Sequence, residues 1–209
     1  FSIFFLLFFN LFSYSFSEVG YIIFIFNILH ILFYYLTLKN FKYKNDFNVL
    51  VSVFFFNLIF LIFLLIIYKI HNNWFFEFTG SDSYSYHYFS KKYIHKTLIE
   101  SVNLHMNLTK YGIEDIGNII YVSSIYKLFD DPVAVRFFNL IISLFNCLIV
   151  LLLSKNIFKI KYFAFVTIAF SISSFNIYFI SSGLKEVIFL FFILSTFYFY
   201  HLVSCHHRD

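Results

Sequence analysis

Charge is scarce in this chain: Asp, Glu, Lys and Arg together make up 12% of its 209 residues, against about 25% in soluble domains. With 61% hydrophobic residues and a mean hydropathy of +0.81, that scarcity excludes a water-soluble globule. A bilayer accepts so many apolar side chains in helical runs of about 20 residues, each satisfying its own backbone. Five glycines and one proline leave Gly and Pro helix breaks nearly absent. The two cysteines, Cys147 inside an apolar run and Cys205 near the end, form no C-x-x-C pair and no disulfide framework, and read as unpaired thiols. There is no H-x-x-x-H pair with a third ligand, no nucleophile elbow and no Walker loop, which argues against zinc. The net charge of +4 is modest and distributed by topology, so nucleic acid is not a partner read from this sequence. No basic n-region or small-residue cleavage site marks Phe1 to Phe12 as a cleavable signal peptide. A chain that opens on Phe1 without Met and stops at Asp209 directly after a hydrophobic run reads as a fragment of a longer protein.

What is present is aromatic and aliphatic. Thirty-six Phe and 17 Tyr look like AT-rich coding, and no stacking role is read into them. Hydrophobic runs fall at Phe1 to Phe16, Val19 to Leu38, Phe47 to Tyr68, Val133 to Leu153, Tyr162 to Ser181 and Leu184 to Val203, each near spanning length. The expected fold is all-α: a polytopic transmembrane helix bundle of about six spans, one transmembrane domain over residues 1–209. Two short connections are basic, Lys39 to Lys44 and Lys155 to Lys161, and short basic loops stay in the cytoplasm. Simple alternation puts both on that side, so the long segment Lys69 to Pro132 and the turn Ser181 to Gly183 face outward. His30, Asn27 and Asn57 within runs read as groups for interhelical hydrogen bonds.

The long outer segment, 69–132, is expected to carry amphipathic interfacial helices. Ser83 to Met106 lacks Gly and Pro, and Ile94, Leu98, Val102 and Met106 recur every four residues, the pattern of a helix lying on the membrane. A second helix is expected from Glu114 to Phe129. Asp130-Asp131-Pro132 then punctuates the return into the membrane, because Pro suits a first helical turn and a carboxylate suits a helix N-terminus. The same rule makes Asp82 or Ser83 a candidate N-cap.

Three segments in order resemble a known family: Gly80-Ser81-Asp82-Ser83 with Tyr86-His87, then Asp131-Pro132-Val133-Ala134-Val135-Arg136-Phe137-Phe138-Asn139, then Ser181-Ser182-Gly183-Leu184-Lys185-Glu186. Together they are similar to the N-terminal half of the GT-C superfamily of membrane glycosyltransferases, in particular the dolichyl-phosphate-mannose-protein mannosyltransferase-like (family 39-like) proteins. The family's acidic loop usually follows the first span, whereas about three runs precede it here.

The resemblance implies transfer of a sugar from a polyprenyl-phosphate-linked donor to a glycan, lipid or protein acceptor, with inversion, on the outer face of a bacterial cytoplasmic membrane during cell-envelope glycan assembly. By motif position Asp82 corresponds to the catalytic carboxylate, which takes the acceptor's proton. The leaving phosphate needs cations or a divalent metal at the headgroup plane, and Arg136 and Lys185 are the candidates for donor-phosphate binding, with interfacial snorkelling as their plainer role. His87, Glu114, Asp115 and Glu186 are possible supporting groups: His87 could orient Asp82, Glu186 could pair with Lys185 or cap its helix, and Glu114 and Asp115 could answer a helix dipole. The related alternative is an O-antigen or capsule polymerase, which relies on loop arginines, and Lys69 to Pro132 contains none. From another class, a flippase or transporter would place charges or broken helices near the midplane, whereas here ionisable groups avoid run centres except His30 and Gly and Pro breaks are nearly absent; an inactive fragment is the remaining alternative.

Overall fold

The computed structural model describes residues 44–76, 81–108 and 115–206. The first two hydrophobic runs, with Asn27 and His30, lie outside the described residues, as do Glu114 and the basic stretch before Lys44. The chain divides into two units, Phe1–Phe47 and Asn48–Asp209, and nearly all the described residues belong to the second.

Among the described residues every regular element is helical. Helix α1, Lys44–Asn72, is long, apolar and contains the buried Asn57. The outer segment folds as α2 (Ser81–Tyr93), α3 (Leu98–Leu108) and α4 (Ile116–Tyr126). Helix α5, Pro132–Leu152, continues through a π-helical turn, Leu153–Ile157. It is followed by α6 (Phe163–Ser171), α7 (Ser174–Ser182) and α8 (Glu186–His206).

Among the described residues three of these helices, α1, α5 and α8, are long and apolar enough to cross a membrane, and a fourth is counted if α6 and α7, bent by 46°, are taken together as one span. The single run expected over Tyr162 to Ser181 is therefore broken, and without Gly or Pro. Small polar side chains do the breaking: the Ser173 hydroxyl accepts from the Asn176 N–H at 3.4 Å, and Asn176 Nδ2 donates to the Ser171 carbonyl at 2.9 Å. Such side chains offer the backbone an alternative to the helical ladder. The bent pair retraces α5 along its length. Lys155 sits over the Phe163 ring at one end, Ser143 bonds Asn176 in the middle, and Arg136 bonds the Ser181 carbonyl at the other.

The turn after α7 closes with a Schellman arrangement. Leu184 N–H donates to the Phe179 carbonyl and Gly183 N–H to that of Ile180, both at 3.2 Å. Gly183 supplies the left-handed conformation, φ 71°, that other residues adopt at a cost.

The expected continuous helix Ser83 to Met106 is two helices. Thr97 and Glu100 form a capping box: Glu100 N–H donates to Thr97 Oγ1 at 3.3 Å and Thr97 N–H to Glu100 Oε2 at 2.8 Å. This reciprocal pair starts a new helix at Leu98. Ser101 and His105 are buried, with Tyr93 Oη 3.2 Å from His105 Nδ1, whereas Leu98 and Met106 of the expected stripe are exposed. The second outer helix is shorter than the expected Glu114 to Phe129. The α5 start agrees with its punctuation: Asp131 Oδ1 accepts from Val133 N–H at 2.7 Å, and Pro132 is the first helical residue.

Helices α2 and α4 pack against each other, and α5 packs against α4, the bent pair and α8. The outer helices meet the bundle through a buried cluster of Tyr86, Tyr93, Ile119 and Leu184, with Phe89, Leu104 and Phe179 around it. Leu184 belongs to the turn before α8, so that turn lies on the same side as the outer segment.

Candidate functional site

The outer segment and the α7–α8 turn are joined by a charged knot. Lys185 forms an ion pair with Asp115, and the Tyr86 hydroxyl donates to the other oxygen of the same carboxylate at 3.1 Å. Asp115 precedes α4 with φ 62°, a left-handed conformation, and its side chain makes no capping bond. The carboxylate is turned to Lys185 and Tyr86 instead. Burial first, and then the Asp115 charge, push the Tyr86 phenol up to about 12, and the hydrogen bond to Asp115 raises Lys185. The Tyr86 hydroxyl is thus a fixed donor and Lys185 a fixed cation. The pairing expected between Lys185 and Glu186 is replaced by this one. Glu186 lies in the first turn of α8, with Oε2 buried.

Asp82 is exposed, in the first turn of α2. It is the second residue of that helix and not its cap. Tyr86 follows it by four residues, so the two side chains share one face about one turn apart. Asp82 therefore lies one helical turn from Tyr86 of the knot.

Arg136 is not a surface cation. It is 2% exposed and extends along α5 into the junction of three segments. Its guanidinium donates to the carbonyls of Pro132 at 2.6 Å, Phe75 at 3.1 Å and Ser181 at 3.3 Å, and it lies over the Phe76 ring at 4.8 Å from the centroid. Apolar surroundings oblige a cation to collect carbonyls, and here Arg136, expected as a donor-phosphate group, ties the segment after α1 to α5 and α7. Gly183 passes beside it, its Cβ position 3.5 Å from Arg136 Cζ.

His87 is not directed at Asp82. Its Nδ1 lies 2.7 Å from the Tyr126 hydroxyl, and its ring packs 5.1 Å from that of Phe76. Burial, helped by Lys91 and Arg136, lowers its pKa to about 4.

Helix α5 carries a polar stripe that the sequence reading missed. Beyond Arg136, Asn139 Nδ2 donates to the Leu184 carbonyl at 2.9 Å and its Oδ1 accepts from the Tyr121 hydroxyl at 2.9 Å. Ser143 donates to Asn176 Oδ1 at 2.9 Å, and Asn146 Nδ2 to the Val187 carbonyl at 3.0 Å. Spacings of three, seven and ten from Arg136 lie on one helix face, and that periodicity was available in the sequence. The stripe holds the α7–α8 turn and the bent pair, where irregular backbone at membrane depth must be buried in protein.

Among the described residues no three of His, Cys, Asp and Glu gather into a group that could hold a metal ion. No protein-family model, curated protein or solved structure matches the chain.

Proposed function

We propose that the chain is part of a membrane glycosyltransferase that uses a polyprenyl-phosphate-linked sugar and works on the outer face of a cell-envelope membrane. The observation that carries this reading is the exposed Asp82 one helical turn from the Tyr86–Asp115–Lys185 knot, at the end of apolar spans. The order of the three sequence segments supports it as well. A lipid-linked donor brings its phosphate to this level of the bilayer with its chain among the helices. In the step proposed, an acceptor hydroxyl attacks the anomeric carbon, Asp82 takes its proton, and the bond to phosphate oxygen breaks with its electron pair leaving on the phosphate. Lys185 answers that charge; an ammonium has three donors, and Asp115 occupies one. Asp115 and Tyr86 position Lys185, and Arg136 holds the backbone around it.

The test is Asp82→Asn in the full-length protein, assayed in membranes for transfer of labelled sugar from polyprenyl-phosphate donors. Loss of a general base lowers the rate at least about a hundredfold, at unchanged protein level. Normal transfer by the Asp82→Asn protein removes the assignment.

The broken span favours a second reading, movement of a lipid-linked glycan, because discontinuous helices are frequent in transporters. Straightening the break with Ser173→Ala and Asn176→Leu separates the two: a translocation activity requires the break, whereas a transferase loses little beyond stability.

A further inference from the structure

Two tips of the outer segment come together away from the knot. The turn between α2 and α3 meets the end of α4, where Lys127 Nζ donates to the Lys96 carbonyl at 3.2 Å and Lys91 pairs with Asp130 at 3.1 Å. Three large aliphatic side chains project there, Leu98 at 63%, Ile99 at 70% and Leu128 at 70% exposure. Lys96 and Lys127 beside them are exposed, as is Lys92 at the end of α2, its ammonium 4.2 Å from the Tyr88 ring centroid. Lys91 pairs with Asp130, and Lys92, Lys96 and Lys127 then stand against the single carboxylate of Glu100, which caps α3, so the balance at the tips is positive. Leu128 is only four residues ahead of Pro132, where α5 begins its crossing, which puts the tips at the level of the headgroups.

We propose that these joined tips form a lipid anchor, with Leu98, Ile99 and Leu128 dipping into the acyl boundary and Lys92, Lys96 and Lys127 binding the phosphates of anionic phospholipids in the same leaflet. Aliphatic tips framed by lysines have the chemistry of interfacial membrane attachment, and each lysine near an anionic surface adds to the attraction. The placement does not depend on glycosyl transfer, and an anchor of this kind fixes the outer helices, and so Asp82, at one height above the bilayer.

The experiment uses the whole chain reconstituted in vesicles, with Cys147 and Cys205 replaced by Ser and a nitroxide attached through Ile99→Cys. Accessibility to oxygen and to a water-soluble nickel complex reports depth. In vesicles containing phosphatidylglycerol the label should read as buried in the acyl boundary. With Lys92, Lys96 and Lys127 changed to Gln, or in phosphatidylcholine alone, its exposure to nickel should rise severalfold. A label that is water-exposed in both lipids overturns the anchor, as does immersion indifferent to headgroup charge, and docking of another protein in place of lipid would show as immersion only when that protein is added. A label at Asn103 in the same helix reports whether α3 itself is intact in the variants.

Discussion

Asp115 shows how much one side chain can carry. It accepts a left-handed backbone, φ 62°, which costs a non-glycine residue on the order of 1 kcal/mol, and in return holds Lys185 and Tyr86. Asp115→Asn keeps the backbone tolerance but removes the charge, so the knot should loosen with a loss of about 1 kcal/mol, the upper scale for a partly exposed pair, while activity falls through Lys185; thermal stability in detergent and transfer kinetics read the two separately. Gly183 is more constrained, because Ala at its φ of 71° is strained and its methyl would sit against Val135 and Arg136. Gly183→Ala should therefore cost roughly 1–2 kcal/mol. His87 gives a pH dependence. Its pKa in the fold, about 4, lies below the ordinary 6.5, so between those values the unfolded chain binds the proton and the native chain does not. Stability is complete above pH 6.5 and falls as pH drops toward 4. His87→Gln should flatten that part of a melting-temperature profile; an unchanged slope would place its origin elsewhere. Of these residues, the sequence disclosed Asp82, Lys185 and Gly183 as notable, but not the partner of Lys185, since Asp115 is 70 positions away and only tertiary packing joins them.

At the level of elements, apolar length was readable and interruptions were not. The spans at α1, α5 and α8 follow from runs of Phe, Ile and Leu, and Asp131-Pro132 marked the start of α5 because a cap acts locally. The break at Ile172-Ser173 was not legible because Ser and Asn side chains make it, and no Gly or Pro announces it. The Thr97 to Glu100 capping box was present in the letters and was overridden by an apolar repeat of four that continues across it. Thr97→Ala should destabilise α3 by about 1 kcal/mol, seen as faster amide exchange over 98–104 with α2 unaffected. On α5, Asn139→Leu removes the tie to the Leu184 carbonyl and to Tyr121. Interhelical polar bonds of this kind are worth about 0.6 to 1.7 kcal/mol in membranes, and chemical denaturation of the reconstituted protein should show a loss on that scale.

For the whole molecule, the ion pair between Lys185 and Asp115 places the α7–α8 turn on the side of the outer helices, which agrees with alternate crossings by α5, the bent pair and α8. The basic turn 158–161 then lies on the opposite side. Single cysteines at Lys96 and Lys159, in a background lacking Cys147 and Cys205, should differ in intact cells: an impermeant thiol reagent labels position 96 and spares 159, and the reverse pattern would invert the orientation. The α5 stripe bears on how such a chain is made. During synthesis α5 leaves the ribosome before the turn that it will grip, with Asn139, Ser143 and Asn146 still lacking Leu184, Asn176 and Val187, while Arg136 already has the Pro132 and Phe75 carbonyls. Buried asparagine and serine side chains left without partners in a lone helix cost free energy in lipid, so α5 is better accommodated once those partners are present. Its polar face is relieved only when residues 176–187 arrive, roughly 30 to 50 positions later. The packing of α5 is therefore expected to be complete only after α7 and the turn into α8 have been translated, and a nascent chain ending before Ser174 should leave α5 more easily extracted from the membrane than a longer one.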